Sequence, residues 1–137
     1  MTRLEQLRAN SMRLLVALLF LAVPVYAIAA VFKAPEKILV GSALLAALAV
    51  ASLVAWRSQG DTLASRGTVA ASVAGLPAAL TYMMGGDIWQ LDMHMTFFAA
   101  LSFAALLVCW RALLFAAGAI ALHHLSLNFL LPYAVFP

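Results

Sequence analysis

The fold class this sequence predicts is an all-α integral membrane protein, a bundle of five transmembrane helices with the N-terminus in the cytoplasm. Three observations carry it. First, 66% of the 137 residues are hydrophobic and 9% are charged, against about a quarter charged in an average soluble domain. Second, the mean hydropathy is +1.06, more apolar surface than a soluble domain of this size can hide. Third, the charges leave five uncharged stretches, 14–32, 38–56, 67–86, 93–110 and 112–137, between 18 and 26 residues long. A helix needs about 20 apolar residues to cross a bilayer core of roughly 30 Å. Soluble enzymes, nucleic-acid binders and disordered linkers are excluded by the same numbers.

The spans are expected to be helical because a lipid-facing backbone has no water to satisfy its N–H and C=O groups. No period-two alternation suggests barrel strands. One domain, 1–137, holds all five, with the spans at 14–32, 38–56, 67–86, 93–110 and 112–132. The N-terminal Arg3, Leu4, Glu5, Leu7 and Arg8 suit either a short interfacial helix or a frayed charged tail. Arg13 then opens the first span. Ala27-Ile28-Ala29 resembles a signal-peptide cleavage site, but the apolar run continues to Phe32 with Pro24 inside it, so the segment reads as a span. Lys33–Lys37 is a short loop in which Pro35 stops helix continuation. Residues 57–66, with Ser58-Gln59-Gly60-Asp61-Thr62, are turn chemistry. Residues 85–92 form the longer loop on the other side. Trp110-Arg111 alone separates spans four and five, which predicts a tight antiparallel hairpin. Pro24 and Pro77 are expected to kink spans one and three.

Lys and Arg placement orients the bundle. With the N-terminus inside, Arg3, Arg8, Arg13, Arg57, Arg66 and Arg111 are cytoplasmic. Only Lys33 and Lys37 are outside, together with Glu36, Asp87 and Asp92. Trp56 and Trp110 fall at inner helix ends and Trp89 in an outer loop, as interfacial aromatics do. Spans one to three are Ala-, Leu- and Val-rich scaffold, where Gly41, Ala43, Ala46, Ala47 and Ala71, Ser72, Ala74, Gly75 permit close helix approach. Cys109 is alone and reads as packing rather than redox chemistry.

Polar residues concentrate in spans four and five: His94, His123, His124 and Asn128, with Asp92, Met93 and Met95 beside the first histidine. Ionisable groups inside a membrane are costly and mark functional sites by default. Counting from the inner turn, the hairpin brings all three histidines to similar depth in the outer half of the bilayer. Residues 123 and 124 point about 100° apart, so one of them faces His94. Asn128 lies one turn beyond His124. A metal site is one reading, because imidazole suits copper, zinc and iron and thioether favours Cu(I). Haem b with two axial histidines is another, with Lys33 and Lys37 at the outer rim for the propionates. A proton-responsive site is a third. The bland reading is interhelical hydrogen bonding worth on the order of 1 kcal/mol each. Met93 or Met95 alone then reads as packing, and Asp92 as a helix N-cap.

These same residues carry a resemblance. Asp92-Met-His-Met-Thr-Phe-Phe-Ala-Ala, Trp110-Arg-Ala-Leu-Leu and His123-His-Leu-Ser-Leu-Asn-Phe-Leu-Leu-Pro-Tyr-Ala-Val-Phe-Pro137 resemble the multispanning N-terminal membrane region of bacterial methyl-accepting chemotaxis proteins. Similar regions precede diguanylate cyclase or histidine kinase modules. The Met-His pair is also similar to the MHYT sensor domains, though Thr96 follows Met95 and only one such motif occurs. The resemblance implies a membrane-embedded input for signal transduction in the bacterial inner membrane, sensing a ligand, a metal or redox state. It implies a homo-oligomer or a signalling partner, and no nucleic acid. In this topology the chain ends outside, so a cytoplasmic output needs a sixth span or a partner chain, and the chain is expected to be a fragment or a standalone sensor-like protein. No nucleophile–base pair, phosphate loop or carboxylate dyad occurs, so no enzymatic activity is expected. The competing classes are a small metal or proton transporter or channel subunit, and a structural membrane subunit without ligand. The apolar inner halves of spans four and five favour a one-sided outer site over a path.

Overall fold

The computed structural model describes residues 2–132. Within them the chain is all-helical, 88% helix with no strand. Five α-helices follow one another: α1 (Arg3–Lys33), α2 (Ile38–Gln59), α3 (Leu63–Met83), α4 (Gln90–Ala105) and α5 (Trp110–Leu130), with a 3-10 turn, Pro35–Lys37, between α1 and α2. Short connections make sequence neighbours antiparallel. One end of the bundle therefore gathers the C-terminus of α1, the turn, the α3–α4 loop and the C-terminus of α5.

Length and apolarity divide the five helices. α1, the turn with α2, and α5 are long and apolar enough to cross a membrane. α4 has 16 residues, about 24 Å at 1.5 Å per residue, short of the roughly 30 Å core. α3 has 21 residues but lacks the apolarity. The packing supplies the reason. α3 is the inner helix, touching all four others. Its buried face is built from small groups: Gly67, Ala70, Ser72, Ala74 and Ala79. The surrounding helices turn large apolar side chains outward, among them Ile28, Phe32, Leu39, Val54 and Leu122. A helix enclosed by protein needs room for its neighbours more than apolarity towards lipid.

Three glycines mark where a neighbouring side chain packs directly against a helix backbone. A Cβ on Gly41 of α2 would meet the Tyr26 ring of α1 at 2.0–2.4 Å, one on Gly75 of α3 the Leu48 side chain at 2.3 Å, and one on Gly67 of α3 the Phe115 ring of α5 at 2.9 Å. Close approach at Gly41 and Gly75 follows the sequence reading. Gly67 and its partner were not distinguished there.

Element ends differ from expectation in three places. The N-terminal segment is neither a separate interfacial helix nor a frayed tail. Thr2 and Glu5 form a capping box and the helix runs unbroken from Arg3 through Pro24 to Lys33. The α4–α5 turn is residues 106–109, not Trp110-Arg111, which open α5. Leu106, Leu107, Val108 and Cys109 are as apolar as the helices beside them, so composition concealed the turn. Val108 has φ +47°, a left-handed backbone that strains a β-branched residue. Its carbonyl accepts a hydrogen bond from Arg8 Nη2 at 2.9 Å, tying the first turns of α1 to the base of the hairpin. Third, Asp92 is not the N-cap of α4. Trp89 holds that position and Asp92 lies in the first turn, where a carboxylate favours the helix dipole.

Candidate functional site

The site is built on the facing stripes of α4 and α5. Along α4, Gln90, Phe97, Ala100 and Ala104 are buried, and half-buried His94 falls on the same stripe. Along α5, Ala112 and Ala116 are buried, and the stripe continues through half-buried Ile120, His123, His124 and Leu127. The histidines thus occupy positions that apolar packing residues hold one turn below.

His94 and His124 meet directly, Nε2 to Nε2, at 2.8 Å. His124 Nδ1 lies 2.8 Å from the Ile120 carbonyl oxygen. A carbonyl can only accept, so Nδ1 carries the proton. In neutral His124 the lone pair then sits on Nε2, and His94 Nε2–H is the donor across the hairpin. The Ile120 carbonyl thus sets the His124 tautomer. His123 is the other member of the adjacent pair. Its Nε2 is buried without a hydrogen-bond partner among the described residues. Phe97, 5% exposed, is the hub, with its ring centroid 5.4 Å from His94, 5.5 Å from His123 and 5.0 Å from His124. The His123 and His124 rings are 5.3 Å apart.

Of the residues named from the sequence, His94, His123 and His124 come together, with His124 as the one that faces His94. Met93 is half-buried and Met95 is 56% exposed. Asp92 and Asn128 are exposed and outside the cluster. Lys33 is exposed. Lys37 is committed elsewhere: its Nζ donates to the carbonyls of Met83 at 3.3 Å and Gly85 at 3.0 Å and lies over the Tyr82 ring. It caps the C-terminus of α3, as a cation suits the negative end of a helix. The last five residues of the run carrying the resemblance, 133–137, lie outside the described residues. Phe97 was missed by sequence reasoning, although its i+3 spacing from His94 places both on one face.

This geometry discriminates between the cofactors. Two axial bonds of about 2.0 Å would hold the imidazole nitrogens about 4 Å apart on opposite faces of a porphyrin. Here they are 2.8 Å apart, and Phe97 packs against the rings where a macrocycle would have to pass. Haem b does not fit, and Lys37 has other partners. For copper, Met95 is 56% exposed, which leaves half-buried Met93 as the thioether nearer the protein interior. Among the described residues no three His, Cys, Asp or Glu side chains already converge as a metal site.

Searches against family models, curated proteins and solved structures find no match to this chain.

Proposed function

We propose that this chain is a membrane-embedded input region for signal transduction, of the kind that precedes the output of a bacterial chemotaxis receptor. All five helices lie in the inner membrane in this reading, with the N-terminus cytoplasmic. α3 enters the bilayer enclosed by the other helices, and α4 enters packed against α3 and α5. The observation that carries it is the His94–His124 hydrogen bond across an otherwise apolar hairpin. Intramembrane ionisable groups are costly enough that a pair of them at one depth argues for use.

The hairpin has the parts of a two-state element. α4 and α5 each pack more extensively on α3 than on one another. The histidine clasp therefore ties two helices that little else joins. At the other end sits a strained turn held by Arg8. A stimulus that alters the clasp changes the splay of α4 and α5 about residues 106–109, and Arg8 passes that change to the N-terminal turns of α1. The apolar residues 103–108 and 113–120 favour this one-sided device over a transport path through the bundle.

The test is a spin-label distance between the clasp ends of α4 and α5 in nanodiscs. His94→Gln is expected to lengthen or broaden a distance that is short and narrow in the unsubstituted protein. Indistinguishable distributions in His94→Gln, His124→Gln and the unsubstituted protein would refute the clasp.

A further inference from the structure

We propose that the arginine-rich end of the bundle binds the phosphate headgroups of anionic phospholipids, through two tryptophan-stacked arginines, Arg57 and Arg111. This rests on the membrane placement proposed above and is independent of the histidine clasp.

The charge of the chain is divided between its two ends. Arg3, Arg8, Arg13, Arg57, Arg66 and Arg111 gather at one end with Glu5 and Asp61, six cations against two acids. Lys33, Lys37, Glu36, Asp87 and Asp92 gather at the other, two against three. The ends therefore carry +4 and −1, which together make the net charge of +3. Both acids at the basic end are already engaged. Glu5 accepts the Thr2 backbone N–H at 2.7 Å in the capping box, and Asp61 pairs with Arg66 at 3.5 Å. Arg8 is held on the Val108 carbonyl. Arg3, Arg13, Arg57 and Arg111 are exposed, and none of them has a carboxylate partner among the described residues.

Two of these four share a local arrangement. Arg57, in the last turn of α2, lies 6.0 Å over the centre of the Trp56 ring. Arg111, in the first turn of α5, lies 5.4 Å over that of the Trp110 ring. No acid occupies the first turn of α5, so Arg111 has no local counter-charge. An indole under a guanidinium takes up its face and leaves its edge N–H groups, the ones that match a phosphate bidentately. Trp110 is 68% exposed, so that pair belongs to the surface and not to core packing.

Position selects the source of the phosphate. Both dipeptides stand at ends of helices long and apolar enough to cross a membrane, at the level where indoles sit among headgroups. The lipids of the surrounding leaflet are already in reach there, and an arginine near an anionic leaflet favours it by about fivefold.

The experiment uses the full chain in detergent with an equimolar mixture of phosphatidylglycerol and phosphatidylcholine bearing the same acyl chains. Native mass spectrometry counts the molecules of each that stay bound. Phosphatidylglycerol is expected to exceed phosphatidylcholine by about tenfold or more. Arg57→Gln and Arg111→Gln are each expected to lower that ratio by about fivefold. Trp110→Leu leaves the net charge at +3 and is expected to lower the ratio by about two- to fivefold, which a diffuse electrostatic attraction would not do. Helical circular dichroism is retained in all three. Equal retention of the two lipids, or a ratio unchanged in any of the three variants, overturns the proposal. The spin-label distance separates this from the sensor reading. A clasp that opens on His94→Gln in a chain without lipid preference keeps the sensor and sinks the lipid site. A preference that depends on Arg57, Arg111 and Trp110 in a chain whose clasp distances never change does the reverse.

Discussion

Gly41→Ala is the sharpest single test of how this bundle is packed. The added methyl would stand 2.0 Å from Tyr26 Oη, 2.1 Å from Cζ and 2.4 Å from Cε1. Carbon atoms rest at about 3.5–4.0 Å, so the ring must retreat by more than about 1 Å. Tyr26 is 2% exposed and packs in a cluster with Ala30, Ala34, Leu45, Ala79 and Met83, so the ring retreats only by disturbing these neighbours or by entering the apolar cleft beside Ala22 and Leu76. Overpacking of this kind costs about 1–3 kcal/mol. Displacing the ring also breaks its hydrogen bond to the Lys37 carbonyl, for about 1 kcal/mol more. The expected loss is therefore about 2–4 kcal/mol.

The other glycines set the scale. Gly75→Ala meets only the tip of the flexible Leu48, and Gly67→Ala meets a Phe115 ring that is 52% exposed and can swing outward. Each is expected to cost less than about 1.5 kcal/mol. Gly118→Ala meets nothing within 4 Å and should gain about 0.5–1 kcal/mol from helix propensity. The assay is reversible unfolding in detergent, followed by far-ultraviolet circular dichroism. A second arm is the Gly41→Ala/Tyr26→Ala cycle, whose coupling should exceed about 1 kcal/mol. If Gly41→Ala unfolds within about 0.5 kcal/mol of the unsubstituted protein, or ranks below Gly67→Ala, the close approach of α1 and α2 is wrong.

Four further outcomes follow from the same contacts. Phe97→Ala removes the hub of the imidazole cluster and should cost about 3–5 kcal/mol, with the histidine ring protons collapsing to averaged shifts in a selectively labelled nuclear magnetic resonance sample. Val108→Gly relieves the left-handed backbone at φ +47° and should raise stability by about 1 kcal/mol, whereas a loss on thermal unfolding would argue against strain in the turn. Arg8→Met removes the donor to the Val108 carbonyl and should lower stability by about 1–2 kcal/mol, an effect that should shrink when Val108→Gly is already present. Lys37→Met uncaps α3, and faster amide exchange at residues 83–86 would register it.

Much of the architecture was legible because bilayer-scale apolar runs and turn residues such as Pro35 and Gly60-Asp61 punctuate the chain. That one of the paired histidines meets His94 was legible too, because residues on antiparallel neighbours at matched depth have little choice, but that it is His124 was not. The position of the hairpin turn was hidden, since Leu106-Leu107-Val108-Cys109 carries no turn chemistry. Only Arg8 and the rest of the bundle hold it there. The partners of Lys37 were hidden for a related reason. A lysine at a helix end suits water, a propionate or another helix's carbonyls equally, and tertiary structure makes the choice. Likewise, α3 and α2 are both alanine-rich, and only the lower apolarity of α3 hints that it is the enclosed one.

In the membrane reading proposed above, the enclosed position of α3 has a consequence for how the chain is made. Partitioning into a bilayer rewards each helix for its own apolarity, and by that measure α1, α2 and α5 can enter unaided. α3 and the short α4 emerge between them and depend on company. α1 and α2 must be waiting as a hairpin when α3 arrives, and α5, which follows both α3 and α4, closes around it through Phe115 and Gly67. Biogenesis is then itself a cooperative step, and a lesion at the Gly67–Phe115 contact should be felt as failed insertion of α3 before it is felt as lost stability.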